Sequence, residues 1–222
     1  LKSNSNDPSP VYVDRLTGLP ATLLRGFEGQ TRAFVQVQQG CDQGCTFCVI
    51  HRARGRSISL NEDAILNQVR TFVASGSSEI VVCGVDLGSY EYSSSDGEVD
   101  ALNLVSLLKK ISRLPGEFRI RLSSIDPAHL NDSLLDLMGS DERFCPYLHV
   151  SVQSGSTLIL KRMKRRYDRE WLLERLFAAR ERLPGLVLGA DIMAGFPTET
   201  EADFAQSLSV IKDAEIIYPH VF

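Results

Sequence analysis

The chain has 222 residues, of which 43% are hydrophobic and 23% charged, an ordinary globular profile long enough to bury a sizeable core. No segment approaches the ~18 consecutive apolar residues that span a bilayer, and Leu1–Asn6 contain no apolar leader, so a transmembrane or membrane-bound protein is not expected. The net charge of −4 offers nucleic acid no bulk attraction, and any such contact has to come from a local patch.

Residues 1–30 are rich in Asn, Ser, Pro and Gly, carry a weak strand signal only at Val11–Val13, and read as a tail or linker; residues 31–222 read as one core domain. The strand-like run Ala33–Val37 leads into the cysteine-rich segment. A helix is expected from about Leu60, with Ser59 and Glu62 at capping-box spacing and Ile65, Leu66, Val69, Phe72 and Val73 on one face. The alternation then repeats: strand 79–83 and helix 102–114 (stripe Leu102, Val105, Leu108, Ile111), strand 118–122 and helix 130–138, strand 147–152 and helical segments 157–163 and 170–183. Strand 186–194, a helix opening near Thr198 (with Glu201 at capping-box spacing) and a sixth strand over 215–222 complete it.

Strands separated by amphipathic helices imply a parallel sheet with right-handed crossovers. Six such strands suit a doubly wound sheet or a partial (β/α)6 TIM-like barrel. Strand polarity favours the barrel, because His149, Ser151 and Gln153, then Arg121 and Ser123, then Asp191 and Met193, alternate with apolar residues. A parallel strand with one polar face belongs beside a ligand-lined lumen with helices outside; the other reading is a filled core in which those polar side chains pair with one another.

Three of the five cysteines fall within eight positions: Cys41, Cys45 and Cys48, spaced C-x3-C-x2-C. An odd cysteine count in a chain too long to need staples points to a reducing, cytoplasmic compartment and to a metal or cluster site. Thiolates suit zinc or iron–sulfur centres, and three ligands on a cubane 4Fe–4S cluster leave one iron open. His51 follows Cys48 at x2 spacing, so a Cys3His zinc site in a non-catalytic RNA- or protein-binding module is the alternative. Position favours the reactive centre: the triplet follows the first strand, on the side where other strand ends carry Gly84-Val85-Asp86, Ser123-Ser124, Gln153-Ser154-Gly155 and Gly195-Phe196-Pro197, where parallel barrels build active sites. Cys83, in an apolar strand, reads as core, and Cys145 has no motif around it.

C-x3-C-x-aromatic-C after a first strand resembles the radical S-adenosylmethionine (SAM) superfamily, from about Phe34 to the end of the chain. Gln39–Cys48 with Arg54-Gly55-Arg56, Gly84–Tyr90, Arg121–Pro127, His149–Ser156 and Gly195–Thr200 are similar, in order, to the methylthiotransferase family. Gly84–Ser89 is most similar to the branch acting on tRNA threonylcarbamoyladenosine beside the anticodon; an isopentenyladenosine tRNA or a ribosomal protein is the alternative acceptor.

The resemblance implies that Cys41, Cys45 and Cys48 hold a 4Fe–4S cluster whose open iron is chelated by SAM, and that a deoxyadenosyl radical leads to a methylthio group on adenine. It implies tRNA and an electron donor such as flavodoxin or ferredoxin as partners. Carried over by position, backbone at Gly84 and Val85 meets the methionine amine of SAM; Ser123, Ser124, Gln153 and Ser154 meet its ribose or carboxylate; Met193 and Gly195 meet the adenine; and Phe47 covers the cluster. The family also has a preceding domain with three further cysteines and a following small β-barrel RNA-binding domain, neither found in these 222 residues, so this stretch alone is expected to hold a cluster without completing methylthiolation. Relatives with Pro at the position of His51 give that residue no ligand role.

Arg52, Arg54 and Arg56 after the cysteines, and Lys161, Arg162, Lys164, Arg165, Arg166 and Arg169, form two basic groups that could meet tRNA phosphates. The second group also reads as a solvated helix face.

Overall fold

Period-two alternation of apolar side chains produces six parallel strands, each followed in turn by helix until the last. The structure, a computed structural model, describes residues 23–26, 29–92 and 102–222; the strand expected at Val11–Val13 lies outside them. The strands are β1 (Arg32–Gln36), β2 (Glu79–Cys83), β3 (Arg119–Leu122, continued by Ser124–Ile125), β4 (Tyr147–Gln153), β5 (Val187–Ile192) and β6 (Ile216–Val221). The helices are α1 (Glu62–Ala74), α2 (Leu104–Ser112), α3 (Asp132–Ser140), α4 (Thr157–Arg162), α5 (Arg169–Arg182) and α6 (Glu201–Asp213).

Spatial order follows chain order. Arg119–Leu122 pairs with β2, and beyond Ser123 the continuation Ser124–Ile125 pairs with β4, so the third strand joins two sheets into one curved wall. A doubly wound sheet reverses direction from its first strand; this one does not, which makes it the partial barrel. Among the described residues β1 pairs only with β2 and β6 only with β5, leaving the wall open between them.

One face of every strand from β2 to β5 meets the helices. Ile80, Val82, Ile120, Leu122, Leu148, Val150, Leu188 and Ala190 are all buried there against the apolar stripes of the helices. On the opposite face, Arg32 and Arg121 both pair with Glu79, at 2.9 and 2.7 Å, and the Arg121 guanidinium lies 4.9 Å from the centre of the Tyr147 ring. Tyr147 Oη lies 3.1 Å from His149 Nδ1, and His149 Nε2 lies 3.0 Å from Asp191. The lower lumen is therefore filled by paired polar groups, while a cavity lined by Val85, Ser124 and Gln153 opens at the C-terminal strand ends. The paired polar side chains of the second reading are thus present in the lower lumen.

Every barrel helix is opened by a side-chain cap, and the caps correct several expected boundaries. Asn61, not Ser59, accepts from Ala64 N at the start of α1, while Ser59 Oγ accepts from Glu91 N. Asn103 caps α2, so the helix begins two residues late, buries Leu104, Leu107, Leu108 and Ile111, and leaves Leu102 paired with Tyr92 in a short antiparallel ladder. Thr200, not Thr198, caps α6, in a reciprocal capping box with Asp203. Leu24, inside the stretch read as a tail, exchanges two 2.7 Å hydrogen bonds with the Gln68 amide on α1 and is tied to the barrel.

Candidate cofactor site at the mouth of the barrel

The loop leaving β1 folds back on itself before it presents any sulfur. Gly40 has φ +73, and a Cβ there would run into the Arg56 carbonyl; Cys41 N donates to Gly55 O at 3.1 Å. The expected Arg54-Gly55-Arg56 motif thus works through its backbone, closing the loop.

Gln38, which is fully buried, binds the loop to its neighbours. Its Nε2 donates to Gly40 O at 2.8 Å and Ser57 Oγ at 2.9 Å, and its Oε1 accepts from Asp86 N at 2.8 Å. One amide therefore fixes both ends of the cysteine loop to the segment after β2. Gly84 belongs to the same packing: a Cβ there would lie 2.9 Å from Leu87 Cα and 3.1 Å from Gln38 Oε1.

Cys41, Cys45 and Cys48 are free thiols that line one cavity of about 190 Å3 together with Phe47, Val85, Ser124 and Gln153. Gln43 N donates to Cys41 Sγ at 3.3 Å, and Arg165 Nη1 lies 3.6 Å from Cys45 Sγ. Burial pushes the Cys41 thiol up to about 11, and the charges of Asp86, Cys45 and Cys48 push it the same way. Burial alone would raise Asp86 too, but hydrogen bonds from His129 and Ser89 hold it at about 2, so an anion stands 3.8 Å from Cys41. A cationic centre bound beside Cys41 would favour its thiolate against both effects.

The donor set fits a cluster better than a single ion. The three sulfurs and His51 are not gathered within 4.8 Å of one another, as a tetrahedral ion requires, whereas a cubane spreads its thiolates across three corners. His51 Nδ1 is buried with no hydrogen-bond partner among the described residues, and nothing brings it to the sulfurs as a fourth ligand.

The expected SAM contacts divide. Phe47, Val85, Ser124 and Gln153 line the cavity, and Ser123 Oγ is a buried hydroxyl with no partner among the described residues. Met193 N donates to Gln153 O at 2.8 Å, and Gly195 N donates to Glu199 Oε2 at 2.6 Å; neither residue lines the cavity. Ser154 is corrected: it is fully buried, 3.3 Å from Ser207 Oγ, and it accepts from Ser156 N, so it docks α6 instead of facing a ligand.

The basic groups divide as well. Arg52, Arg54 and Arg56 are exposed, as are Lys161, Arg162, Lys164 and Arg166. Arg165 is corrected: its side chain is 7% exposed, pairs with Asp126 at 2.7 Å and donates to Ser151 O, so it is unavailable to phosphate. Arg169 likewise spends its guanidinium on Gly155 O, Gln206 O, Ser209 and Asp213. Gln38 escaped the sequence reading, and Arg165 was read there only as a phosphate contact, because the burial of a polar side chain leaves no periodic trace; Asp86 and Asp126 stood inside quoted motifs, and Asp86 could have been singled out by its proximity to the cysteine loop in that fold.

The profile of the radical SAM superfamily matches residues 35–211. The chain belongs to that superfamily. As a radical SAM protein it is 44% identical over 200 residues to the threonylcarbamoyladenosine tRNA methylthiotransferase MtaB of Rickettsia prowazekii (strain Madrid E), an alignment covering 90% of this chain and 47% of the relative. It is 38% identical over 181 residues to the tRNA-2-methylthio-N(6)-dimethylallyladenosine synthase of a Nitratiruptor species, covering 82% and 42%. The chain thus spans just under half the length of these curated relatives. Among solved structures, the radical SAM methyltransferase TsrM of Kitasatospora setae, with cobalamin and a 4Fe–4S cluster bound, superposes with a TM-score of 0.68 at 16% identity, over 85% of this chain and 36% of that one, a likeness of fold. No helix among the described residues is long and apolar enough to cross a membrane.

Proposed function

We propose that these residues are the catalytic core of a tRNA methylthiotransferase acting on the adenine of threonylcarbamoyladenosine. The observation that carries it is the convergence of three free thiols on one cavity at the barrel mouth, in a chain 44% identical to a relative of that name. Cys41, Cys45 and Cys48 would hold a 4Fe–4S cluster with one iron left for SAM. When bound, the pair supplies a deoxyadenosyl radical able to abstract hydrogen from an unreactive C–H.

The chain's own residues bind and orient. Val85, Ser124 and Gln153 contact SAM from three strand ends, backbone at Gly84 and, beyond the cavity lining, at Met193 and Gly195 flanks it, and the Ser123 hydroxyl, with no partner among the described residues, accepts from it or donates to it. Phe47 excludes water from the sulfur side. Exposed Arg52, Arg54, Arg56, Lys161, Lys164 and Arg166 meet tRNA phosphates, an electron donor of the flavodoxin or ferredoxin class reduces the cluster, and the two further family domains are needed for turnover.

Anaerobic reconstitution with iron and sulfide tests the core reading. The expected product is brown, becomes paramagnetic with dithionite and shifts its spectrum when SAM is added; Cys45→Ala abolishes all three. A colourless protein with one zinc overturns it. Mass spectrometry of tRNA nucleosides from a deletion strain tests the acceptor: loss of methylthio-threonylcarbamoyladenosine supports the reading, and loss of methylthio-dimethylallyladenosine, with its unthiolated precursor accumulating, moves the assignment to the other relative.

A further inference from the structure

A second group of metal-ligating side chains lies in the lumen, and none of them lines the cavity of the cysteines. His149 on β4, Asp191 on β5 and His220 on β6 face one another across three adjacent strands, with one ligand atom from each inside a mutual distance of 4.8 Å. Both imidazoles approach the same carboxylate oxygen: His149 Nε2 lies 3.0 Å and His220 Nδ1 3.7 Å from Asp191 Oδ1. The longer approach is beyond a hydrogen bond, so His220 is brought to the carboxylate without being bonded to it. The pairing Asp191↔His220 is fixed by strand register, and His149 sits one pleat lower, opposite Gly189.

Gly189 has no room for a side chain. A Cβ there would stand 2.7 Å from both His149 Nδ1 and Tyr147 Oη. The missing side chain leaves space for the Tyr147–His149 hydrogen bond of 3.1 Å, which occupies Nδ1 and turns Nε2 towards Asp191 and His220. That is how outer partners fix the ring orientation of a metal-bound histidine. Other charges facing the group come from Arg121, over the Tyr147 ring, and Glu79, which already engages Arg121 and Arg32; Asp191 is the carboxylate left for a cation. The His220 side chain is 64% exposed, which gives an ion an entry path from the open side of the barrel.

We propose that His149, Asp191 and His220 form a site for one divalent transition-metal ion of the zinc or cobalt class. Two imidazoles and one carboxylate are ligands such ions accept in tetrahedral geometry, with bonds of about 2.0–2.2 Å, and three protein ligands leave a fourth position for water or an anionic group in the lumen. The site shares no residue with the cysteine loop and stands or falls independently of the cluster.

Cobalt(II) titration of the full chain carrying Cys41→Ser, Cys45→Ser and Cys48→Ser tests it, because the cluster thiols are then gone. The expected result is one equivalent of cobalt with weak visible d–d bands, no intense thiolate charge-transfer band in the near ultraviolet, and displacement by zinc. Adding His220→Ala, at an exposed strand position, weakens binding at least ten-fold, and Tyr147→Phe weakens it by about 10–100-fold, as loss of an outer partner does. A thermal melt without metal identifies any variant that has lost its fold, and Asp191→Asn serves as the alternative ligand deletion. No cobalt bound, cobalt bound with a thiolate band, or affinity unchanged in both His220→Ala and Asp191→Asn overturns the proposal.

Discussion

At the scale of single residues, the barrel mouth depends on buried polar groups that each serve more than one partner. Gln38 satisfies the carbonyl of Gly40, the hydroxyl of Ser57 and the amide of Asp86 from one side chain. Replacing it with Leu keeps the volume roughly constant and orphans those groups, at a cost of about 1–3 kcal/mol for each that stays buried and unsatisfied. Gln38→Leu is therefore expected to lower the urea midpoint and to reduce iron incorporated per chain on reconstitution, because the cysteine loop loses its tie to the segment after β2. An iron content equal to wild type would show that the loop is held without it. Glu79 carries a pH dependence of its own. Burial alone would raise its carboxyl, but the hydrogen bond and charge of Arg121, with the charge of Arg32, bring it below its ordinary 4.5. A lowered folded value means the stabilisation is complete above 4.5 and is lost as pH falls through the folded value. The stability difference between wild type and Glu79→Gln, measured by urea unfolding from neutral to acid pH, is expected to be largest at neutral pH and to shrink below 4.5.

At the scale of elements, each helix begins where a polar side chain takes up its first free amides. Asn61, Asn103, Asn131, Ser156, Asp168 and Thr200 all accept from the backbone amide three residues on. Asn131→Ala is expected to cost about 1 kcal/mol in urea unfolding and to leave the spectrum of a reconstituted cluster unchanged, because Leu134 N, its partner, belongs to the outer layer. The strands, the order of elements and the cysteine loop were legible in the sequence because period-two and period-3.6 patterns record which face is buried. Helix starts were less so: Ser59 and Thr198 have the right spacing to a later Glu, but a cap is decided by which residue is extended when the helix turns, and Asn61 and Thr200 are. Of the residues the sequence singled out, the three cysteines, Phe47, Val85, Ser124 and Gln153 share one cavity lining. Ser154 and Arg165 misled because sequence shows a polar residue near a strand end without showing whether it turns to the lumen or packs under a helix.

At the scale of the whole molecule, a barrel open between its first and last strands needs a brace other than strand pairing, and the mouth supplies one. Thr46, between two of the cysteines, hydrogen-bonds the carbonyls of Arg162 and Met163 at the end of α4, at 2.9 and 3.3 Å. Arg165 then reaches Cys45 Sγ while pairing with Asp126 after β3 and bonding Ser151 O on β4. The first, third and fourth strand–helix units thus meet at one guanidinium, itself 7% exposed. Removing it alone leaves the Asp126 carboxylate buried opposite no full partner, and Arg165→Ala is expected to cost about 3–5 kcal/mol. That result would not separate a structural ion pair from a brace on the cysteine loop. The double variant Arg165→Met with Asp126→Asn does: it removes both charges, keeps an oxygen to accept from Ala128 N, and replaces a buried pair with groups that are often nearly neutral for stability. Its urea midpoint is expected to recover most of the loss. Its reconstituted cluster, with the Arg165 contact to Cys45 gone and only Thr46 tying that part of the loop to α4, is expected to bleach faster in air than the wild-type cluster, followed by visible absorbance. Equal bleaching rates in wild type and the double variant would assign Arg165 to fold stability alone and leave the cysteine loop held by Gln38 and Thr46.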